Sequence, residues 1–91
     1  MNTHNVKAKY YIADRNEIKH LPDSYASTED AMRRVHEPLN SDYTITSPLR
    51  KTITRDMRTN DERITLINYV GEIERHNHSR RVYVTIMLKR A

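Results

Sequence analysis

The C-terminal third of the chain, residues 63–90, constrains the fold most, because it has the pattern of two strands joined by a polar turn. In residues 82–88 every second position is Val, Ile or Leu, which is the period of a half-buried strand. The segment before it is rich in Ile, Thr, Tyr and Val, and the polar residues 76–80 separate the two. The sequence therefore predicts a long β-hairpin whose last strand is the most apolar part of the chain.

Length and composition exclude several classes of protein. Residues 1–91 are enough for one domain with a modest core. The absence of cysteine excludes disulfides and cysteine metal sites and fits a reducing cytosol. The single glycine, Gly71, excludes glycine-rich phosphate and dinucleotide loops. There is no apolar run of transmembrane length and no signal-peptide core, so neither a membrane span nor export is expected.

The N-terminal half contains a strand pattern and then a helix pattern. Residues 5–13 alternate apolar and polar positions, which predicts a first strand. Residues 14–24 are polar and contain a Pro22-Asp23 turn signal, so we expect a loop or a short irregular edge there.

The helix pattern begins at Ser27, which is a good N-cap and precedes Glu29 and Asp30 in the first turn. The apolar positions that follow recur at helical spacing. Pro38 is expected to end this helix near Glu37.

Residues 42–57 contain two copies of the triplet Thr-Ile-Thr at a spacing of eight. This pattern predicts two strands around a tight turn that contains Pro48. An alternative is a helix over residues 48–57, because Leu49, Ile53 and Met57 are four apart, although the threonines argue against it. A connection at residues 59–62 then leads into a strand that begins at Arg63. In that strand Gly71 predicts a bulge or a sharp bend.

These elements together predict an α+β domain. An antiparallel sheet of four to five strands, with a C-terminal meander, packs one short α-helix on one face and leaves the other face largely exposed.

The charge of the chain is uneven. Residues 1–45 hold six basic and seven acidic side chains, whereas residues 46–91 hold ten and five, and eleven of the sixteen basic residues are Arg. Such asymmetry predicts a surface directed at a polyanion. The alternative is an ordinary solvated surface, in which these side chains pair with the acids at positions 56, 61, 62, 72 and 74.

The candidate contact residues are the basic side chains of the predicted meander and of the helix, since Arg and Lys neutralise phosphates. We expect several of those on the meander to share one end and one face of the sheet. They are Arg50, Lys51, Arg55, Arg58, Arg63, Arg75, Arg80 and Arg81, with Arg33 and Arg34 on the helix.

Other side chains give weaker patterns. The six tyrosines are suited to stacking on unpaired bases, to completing a small core or to a protein interface. His76 and His78 form too small a set for a metal site. Glu72 and Glu74 lie on one side of a strand, but their pairing with nearby Arg explains them more simply than catalysis. We therefore expect no enzyme, no metal, no cofactor and no small-molecule substrate.

Three parts of the chain carry a resemblance to a known group of proteins. The opening MNTHNVKAKYYIADRNEIKH, the capped helix STEDAMRRVHEPL and the compact basic meander resemble the small phage-encoded anti-CRISPR proteins that act on type I-F systems. That group shares no diagnostic motif, so the resemblance assigns no role to individual residues. It implies a non-enzymatic inhibitor, present in the host bacterial cytoplasm, that binds the RNA-guided surveillance complex at its Cas backbone and large subunits and at its guide RNA.

The leading hypothesis is accordingly an inhibitor that blocks target-DNA hybridisation through Arg-rich contacts with protein subunits and guide RNA. The alternative is a free-standing small RNA- or DNA-binding protein. A third hypothesis is a structural protein that self-associates through an exposed strand edge.

Overall fold

The computed structural model describes residues 5–13, 18–59 and 62–90 and contains one helix and five strands. In chain order these are β1 (Val6–Ile12), β2 (Ile18–His20), α1 (Thr28–Asp42), β3 (Thr44–Thr59), β4 (Glu62–Arg75) and β5 (His78–Arg90). The strands form one antiparallel sheet in the order β2-β1-β5-β4-β3, and α1 packs against it. The predicted α+β class is confirmed.

The core lies between α1 and the middle of the sheet. Ala31, Val35 and Leu39 recur on one side of the helix and are fully buried. They belong to one cluster with the alternating side chains of β1 and β5, as the sequence period predicts. The sheet members of that cluster are Val6, Ala8, Ile12, Ile73, Val82, Val84 and Ile86.

The start of α1 was predicted correctly and its end was not. The side chain of Ser27 accepts a hydrogen bond from the backbone N–H of Asp30 at 3.1 Å, so it is the N-cap. The helix passes through Pro38 and ends at Asp42. Proline removes one intrahelical hydrogen bond, but the next residue, Leu39, is 1% exposed. Burial of that side chain holds the last turn in place.

β3 is one long strand, so the predicted turn at Pro48 and the alternative helix over residues 48–57 are both wrong. Its pairing with β4 is regular only in parts, and the register shifts three times between Ile45 and Thr54. Each shift is a β-bulge, in which extra residues of one strand face fewer residues of its neighbour. Pro48 lies among these bulges on the edge strand, where its missing N–H interrupts no sheet pairing.

The irregularity expected at Gly71 lies in the neighbouring strand. Gly71 pairs with Val82 in an unbroken β4–β5 register. On its other side the bulged β3 approaches so closely that a Cβ on Gly71 would stand 2.9 Å from the carbonyl oxygen of Ser47 and 3.0 Å from the side chain of Leu49. Only glycine fits at this approach.

The β4–β5 turn is shorter than the five residues predicted. His76 and Asn77 alone form it, with φ angles of 53° and 65°, and Arg75 pairs directly with His78. Two central residues with positive φ are the hallmark of a type I′ hairpin turn.

The two other predicted connections are described only in part. The expected short edge is β2, but residues 14–17 lie outside the described residues. The connection before β4 includes residues 60 and 61, which also lie outside them, and β4 begins at Glu62, one residue earlier than predicted.

Candidate binding face

The register of the sheet assigns each side chain to one of two faces, because directly paired residues point to the same side. Val82, Val84 and Ile86 are buried beneath α1, so the residues between them point away from the helix. We call this second surface the open face. Tyr83, Thr85, Met87 and Lys89 lie on it, together with their paired positions Lys7, Lys9, Tyr11, Ile64, Leu66, Asn68 and Val70 and, one strand further, Arg50, Arg55 and Met57.

Basic residues border the open face. Two lie on β1, two on β3 and one near the end of β5, and we call this set the cationic rim: Lys7, Lys9, Arg50, Arg55 and Lys89. Among the described residues, none of the five forms an ion pair with an acid. Their charges are therefore free to meet an anionic partner.

The acids of the open face lie at its two ends. Glu72 and Glu74 are near the β4–β5 turn, and Glu62 begins β4 at the opposite end. Across the rows between Tyr83 and Lys89, the described residues include no Asp or Glu on this face. As far as the described part of the chain is concerned, the middle of the face consequently has a positive potential that no carboxylate in these rows offsets.

The centre of the open face is apolar and aromatic. Leu66, Val70 and Met87 are half-buried without any cover from α1. The rings of Tyr11 and Tyr83 stack with their centroids 6.2 Å apart at an interplanar angle of 29°, and Tyr83 remains 42% exposed. Partly exposed apolar and aromatic side chains grouped in this way within a polar border are typical of an interaction surface.

A groove of about 260 Å³ crosses this face beside β2. Leu66 and Met87 contribute apolar surface to it, and Lys7, Lys9 and His20 contribute basic groups. A groove with apolar and basic sides is suited to a ligand that combines apolar surface with negative charge.

Asn68 holds the irregular β3 to the rest of the open face. Its side-chain amide donates to the carbonyl oxygen of Ile53 at 3.3 Å, and its side-chain oxygen accepts from the hydroxyl of Thr85 at 2.9 Å. The hydroxyl of Thr52 donates to the backbone carbonyl of Asn68 at 3.2 Å. These bonds fix the bulge between Lys51 and Thr54 and so keep Arg50 and Arg55 on one rigid surface.

The predicted contact residues do not form one site. Arg50, Arg55 and Arg81 lie on the open face, and Arg81 is opposite Glu72. Lys51, Arg58, Arg63, Arg75 and Arg80 have the opposite register, so they lie on the helix side of the sheet. Five of the eight meander cations therefore share the helix side and three share the open face, because alternate positions of a strand point to opposite sides. Arg58 and Arg63 lie at the opposite end of the sheet from Arg75 and Arg80, so the expected grouping at one end is not found.

The helix-side cations differ in their surroundings. Arg58 and Arg63 are directly paired across β3 and β4, beside a cleft of about 270 Å³. The guanidinium of Arg75 lies 5.8 Å from the ring centroid of Tyr43, within cation–π distance. Arg80, opposite Ile73, is half-buried and interacts with other groups.

The two helix arginines are held by local acids. Arg33 pairs with Asp30 at 3.2 Å, and Arg34 pairs with Glu37 at 2.9 Å and with Asp23 at 4.0 Å. The hydroxyl of Tyr25 is buried beside Arg34, and its geometry does not meet the criteria of a hydrogen bond. The pKa of the Arg34 guanidinium is raised, chiefly by this neighbouring hydroxyl and next by the negative charge of Glu37. Surface pairs of this kind satisfy the charges locally.

Lys7, Lys9 and Lys89 were not among the predicted contact residues, and Tyr11 and Tyr83 were not predicted to form a pair. The sequence does contain a pattern that indicates these five residues, because each of them occupies a position that alternates with the core positions of a predicted strand. The charge difference between the two halves of the sequence does not indicate Lys7 and Lys9, because β1 lies in the nearly neutral half of the chain but next to β5 in the sheet.

Comparison of the chain with protein-family models, curated proteins and solved structures finds no match. Among the described residues, no three His, Asp or Glu side chains are grouped as a metal site would require, and α1 is neither long nor apolar enough to cross a bilayer. The fold and site define an α+β sheet protein with one covered face and one exposed, cation-bordered face.

Proposed function

We propose that this chain is a non-enzymatic binding protein that inhibits an RNA-guided type I-F CRISPR surveillance complex by blocking target-DNA hybridisation. One observation carries the proposal: the open face combines an apolar, aromatic centre with five cations, and the described residues place no acid in its middle rows. The resemblance of the chain to small phage-encoded anti-CRISPR proteins supplies the identity of the partner.

Occlusion suits the way such a complex finds its target. The target strand must reach the exposed guide bases and pair outward from a seed. A protein that occupies that channel needs a surface complementary to the guide-RNA backbone and to the flanking Cas subunits. Cations in the rim neutralise phosphates, and the apolar centre meets protein or base surface.

The dimensions of the molecule suffice for a stable interface. The described chain measures 47 × 22 × 21 Å, so its sheet can offer roughly the 800 Å² per partner of a standard interface. Arginine is enriched among the residues that contribute most to binding, so we expect Arg50 and Arg55 to contribute more than the three lysines of the cationic rim.

Co-purification with the surveillance complex, followed by a target-DNA binding assay, tests the proposal. The wild-type protein is expected to co-purify with the complex and to abolish target binding at saturation. The combined charge reversals Lys7→Glu, Arg55→Glu and Lys89→Glu are expected to restore target binding. The matched control reverses Arg33, Lys51 and Arg58, which lie off the open face, and inhibition should persist. Normal target binding with the wild-type protein at saturation would overturn the proposal.

The stacked Tyr11–Tyr83 pair beside Lys7 and Lys9 favours a second candidate, a free-standing nucleic-acid-binding protein. Such a protein retains short RNA on a gel at moderate salt, with an affinity that falls steeply as salt rises. An inhibitor binds the assembled complex far more tightly than bare RNA. Comparing the two affinities in one buffer distinguishes these functions.

A further inference from the structure

The tyrosine pair on the open face offers aromatic surface to a partner. Tyr11 and Tyr83 occupy paired positions on neighbouring strands, and their rings contact each other instead of the core beneath α1. The neighbouring position on β4 is Val70, which extends the apolar surface around them. Unpaired bases stack on exposed aromatic rings of this kind irrespective of sequence, because every base has a π face.

Two lysines follow the tyrosine pair along β1. Lys9 and Lys7 are two and four residues from Tyr11 on the same side of the strand, so successive charges are spaced by about 7 Å. The groove between them has Met87 and Leu66 in its lining. Its volume of about 260 Å³ can admit one nucleobase with its phosphate near an ammonium group.

The open face suits a single strand better than a double helix, because its centre can be used only by bases that are not already paired. Lys7 and Arg55 belong to one row that also contains Met87 and Leu66, and three strand spacings place their backbones about 14 Å apart. A duplex presents phosphates and sugars to a flat surface and keeps its bases inside. A single strand presents bases to the centre and phosphates to the rim together.

We propose that the open face binds single-stranded nucleic acid, with bases stacked on Tyr11 and Tyr83 and phosphates at Lys7 and Lys9. This inference rests on the proposed function, in which the exposed guide RNA supplies the strand. The inference extends the proposed function by naming the side chains on which the bases stack and by assigning the groove beside β2 to one nucleotide. An acidic protein surface would use the same cations without needing the aromatic rings.

Fluorescence anisotropy with a labelled oligouridine of roughly twelve nucleotides, a length that covers a face of this size, tests the inference. Tyr83→Leu is expected to weaken binding about five- to hundredfold, the range that one stacked base provides. Tyr43→Leu, off the open face, is the matched control and should leave binding unchanged. A duplex of equal length should bind more weakly, and its affinity should be the same for the wild type and for Tyr83→Leu. Equal binding of single strand and duplex, or no effect of Tyr83→Leu, overturns the inference.

The salt dependence tests the phosphate contacts separately. Each phosphate contact to a single strand adds about 0.7 to the slope of log K against log salt. The double variant Lys7→Gln, Lys9→Gln is expected to lower the slope by about 1.4 between roughly 50 and 200 mM salt. Arg33→Gln removes a cation from the helix and should leave the slope as it is. An unchanged slope in the double variant contradicts the assignment of phosphates to these lysines.

Failure of this inference and failure of the proposed function give different results. If Tyr83→Leu inhibits the surveillance complex as strongly as the wild type, the stacking site is wrong and the function stands. If Tyr83→Leu weakens oligouridine binding but the wild type does not bind the surveillance complex, the stacking site is supported and the proposed function is wrong. Ultraviolet cross-linking to the guide in a DNA-free complex, reduced by Tyr83→Leu, would identify RNA as the strand.

Discussion

Arg58 and Arg63 stand directly opposite each other across β3 and β4. Directly paired like charges destabilise a sheet, and within the described residues neither arginine forms an ion pair that would relieve the repulsion. The pair lies on the helix side of the sheet, so it does not belong to the cationic rim.

Replacing one member of this pair should therefore stabilise the protein. We expect Arg63→Gln to raise the free energy of unfolding by about 0.2–1 kcal/mol at low salt. The gain should nearly vanish at about 1 M salt, where charges are screened over roughly 3 Å. Urea denaturation at both salt concentrations measures it. Arg33→Gln, which breaks the 3.2 Å pair with Asp30, should give no gain, and a salt-independent effect of Arg63→Gln would contradict the explanation.

Gly71 should tolerate no side chain. A methyl group there would stand 2.9 Å from the backbone oxygen of Ser47, and that oxygen belongs to a bulged strand that cannot shift freely. We expect Gly71→Ala to lower the free energy of unfolding by about 1–3 kcal/mol, as overpacking does. Thermal and urea denaturation measure the loss. Val70→Ala, the neighbouring position on the open face, provides a control without overpacking, and a stable Gly71→Ala protein would disprove the close approach.

The hairpin turn offers a stabilising substitution. Asn77 has a φ of 65°, a region that glycine enters without steric cost. Asn77→Gly should therefore raise the free energy of unfolding by up to about 1 kcal/mol, because a type I′ turn favours glycine at this position. The same substitution at Asn40, inside α1, should destabilise the protein by a few tenths of a kcal/mol. Two changes of the same sign would refute the assigned turn conformation.

Tyr69 should make stability fall at alkaline pH. Burial raises the pKa of its hydroxyl above the ordinary value of 10.0, and the carboxylate of Glu29 adds to the increase. The folded state therefore binds this proton more tightly than the unfolded state. The contribution of Tyr69 to the free energy of unfolding is complete below about pH 10 and is lost as the pH rises through the folded pKa.

Tyr69→Phe should remove that part of the alkaline loss, and urea denaturation at several pH values from about 9 upward measures it. Tyr83→Phe, on the open face, is the matched control. If the wild type and Tyr69→Phe lose stability in parallel above pH 10, the local cause assigned to Tyr69 is incorrect.

Local patterns predicted those parts of the fold whose structure depends on neighbouring residues in the chain. The alternation in β1 and β5 and the cap at Ser27 were read correctly, because each follows from residues within a few positions. The continuation of α1 through Pro38 was not predicted, because burial of Leu39 in the core outweighs the local effect of proline. The single strand β3 was missed for a similar reason, because pairing with β4 overrides the turn preference of Pro48.

The candidate site was harder to predict than the fold, because it depends on register. One residue of shift moves a side chain to the opposite face, and β3 shifts three times. Arg55 and Arg58 were grouped together from the sequence, yet they lie on opposite faces. Lys9 and Arg50 were never grouped, although the order of the strands puts both on the open face.

The bulges of β3 have a consequence for how copies of this protein behave in a crowded solution. β3 is an outer strand sixteen residues long, and a flat strand of that length would be a template for the growth of a continuous sheet from molecule to molecule. Its three register shifts and Pro48 break the regular row of outward N–H and C=O groups over residues 45–54. An uncovered face can thus be kept available to a foreign partner while polymerisation through the same sheet is discouraged.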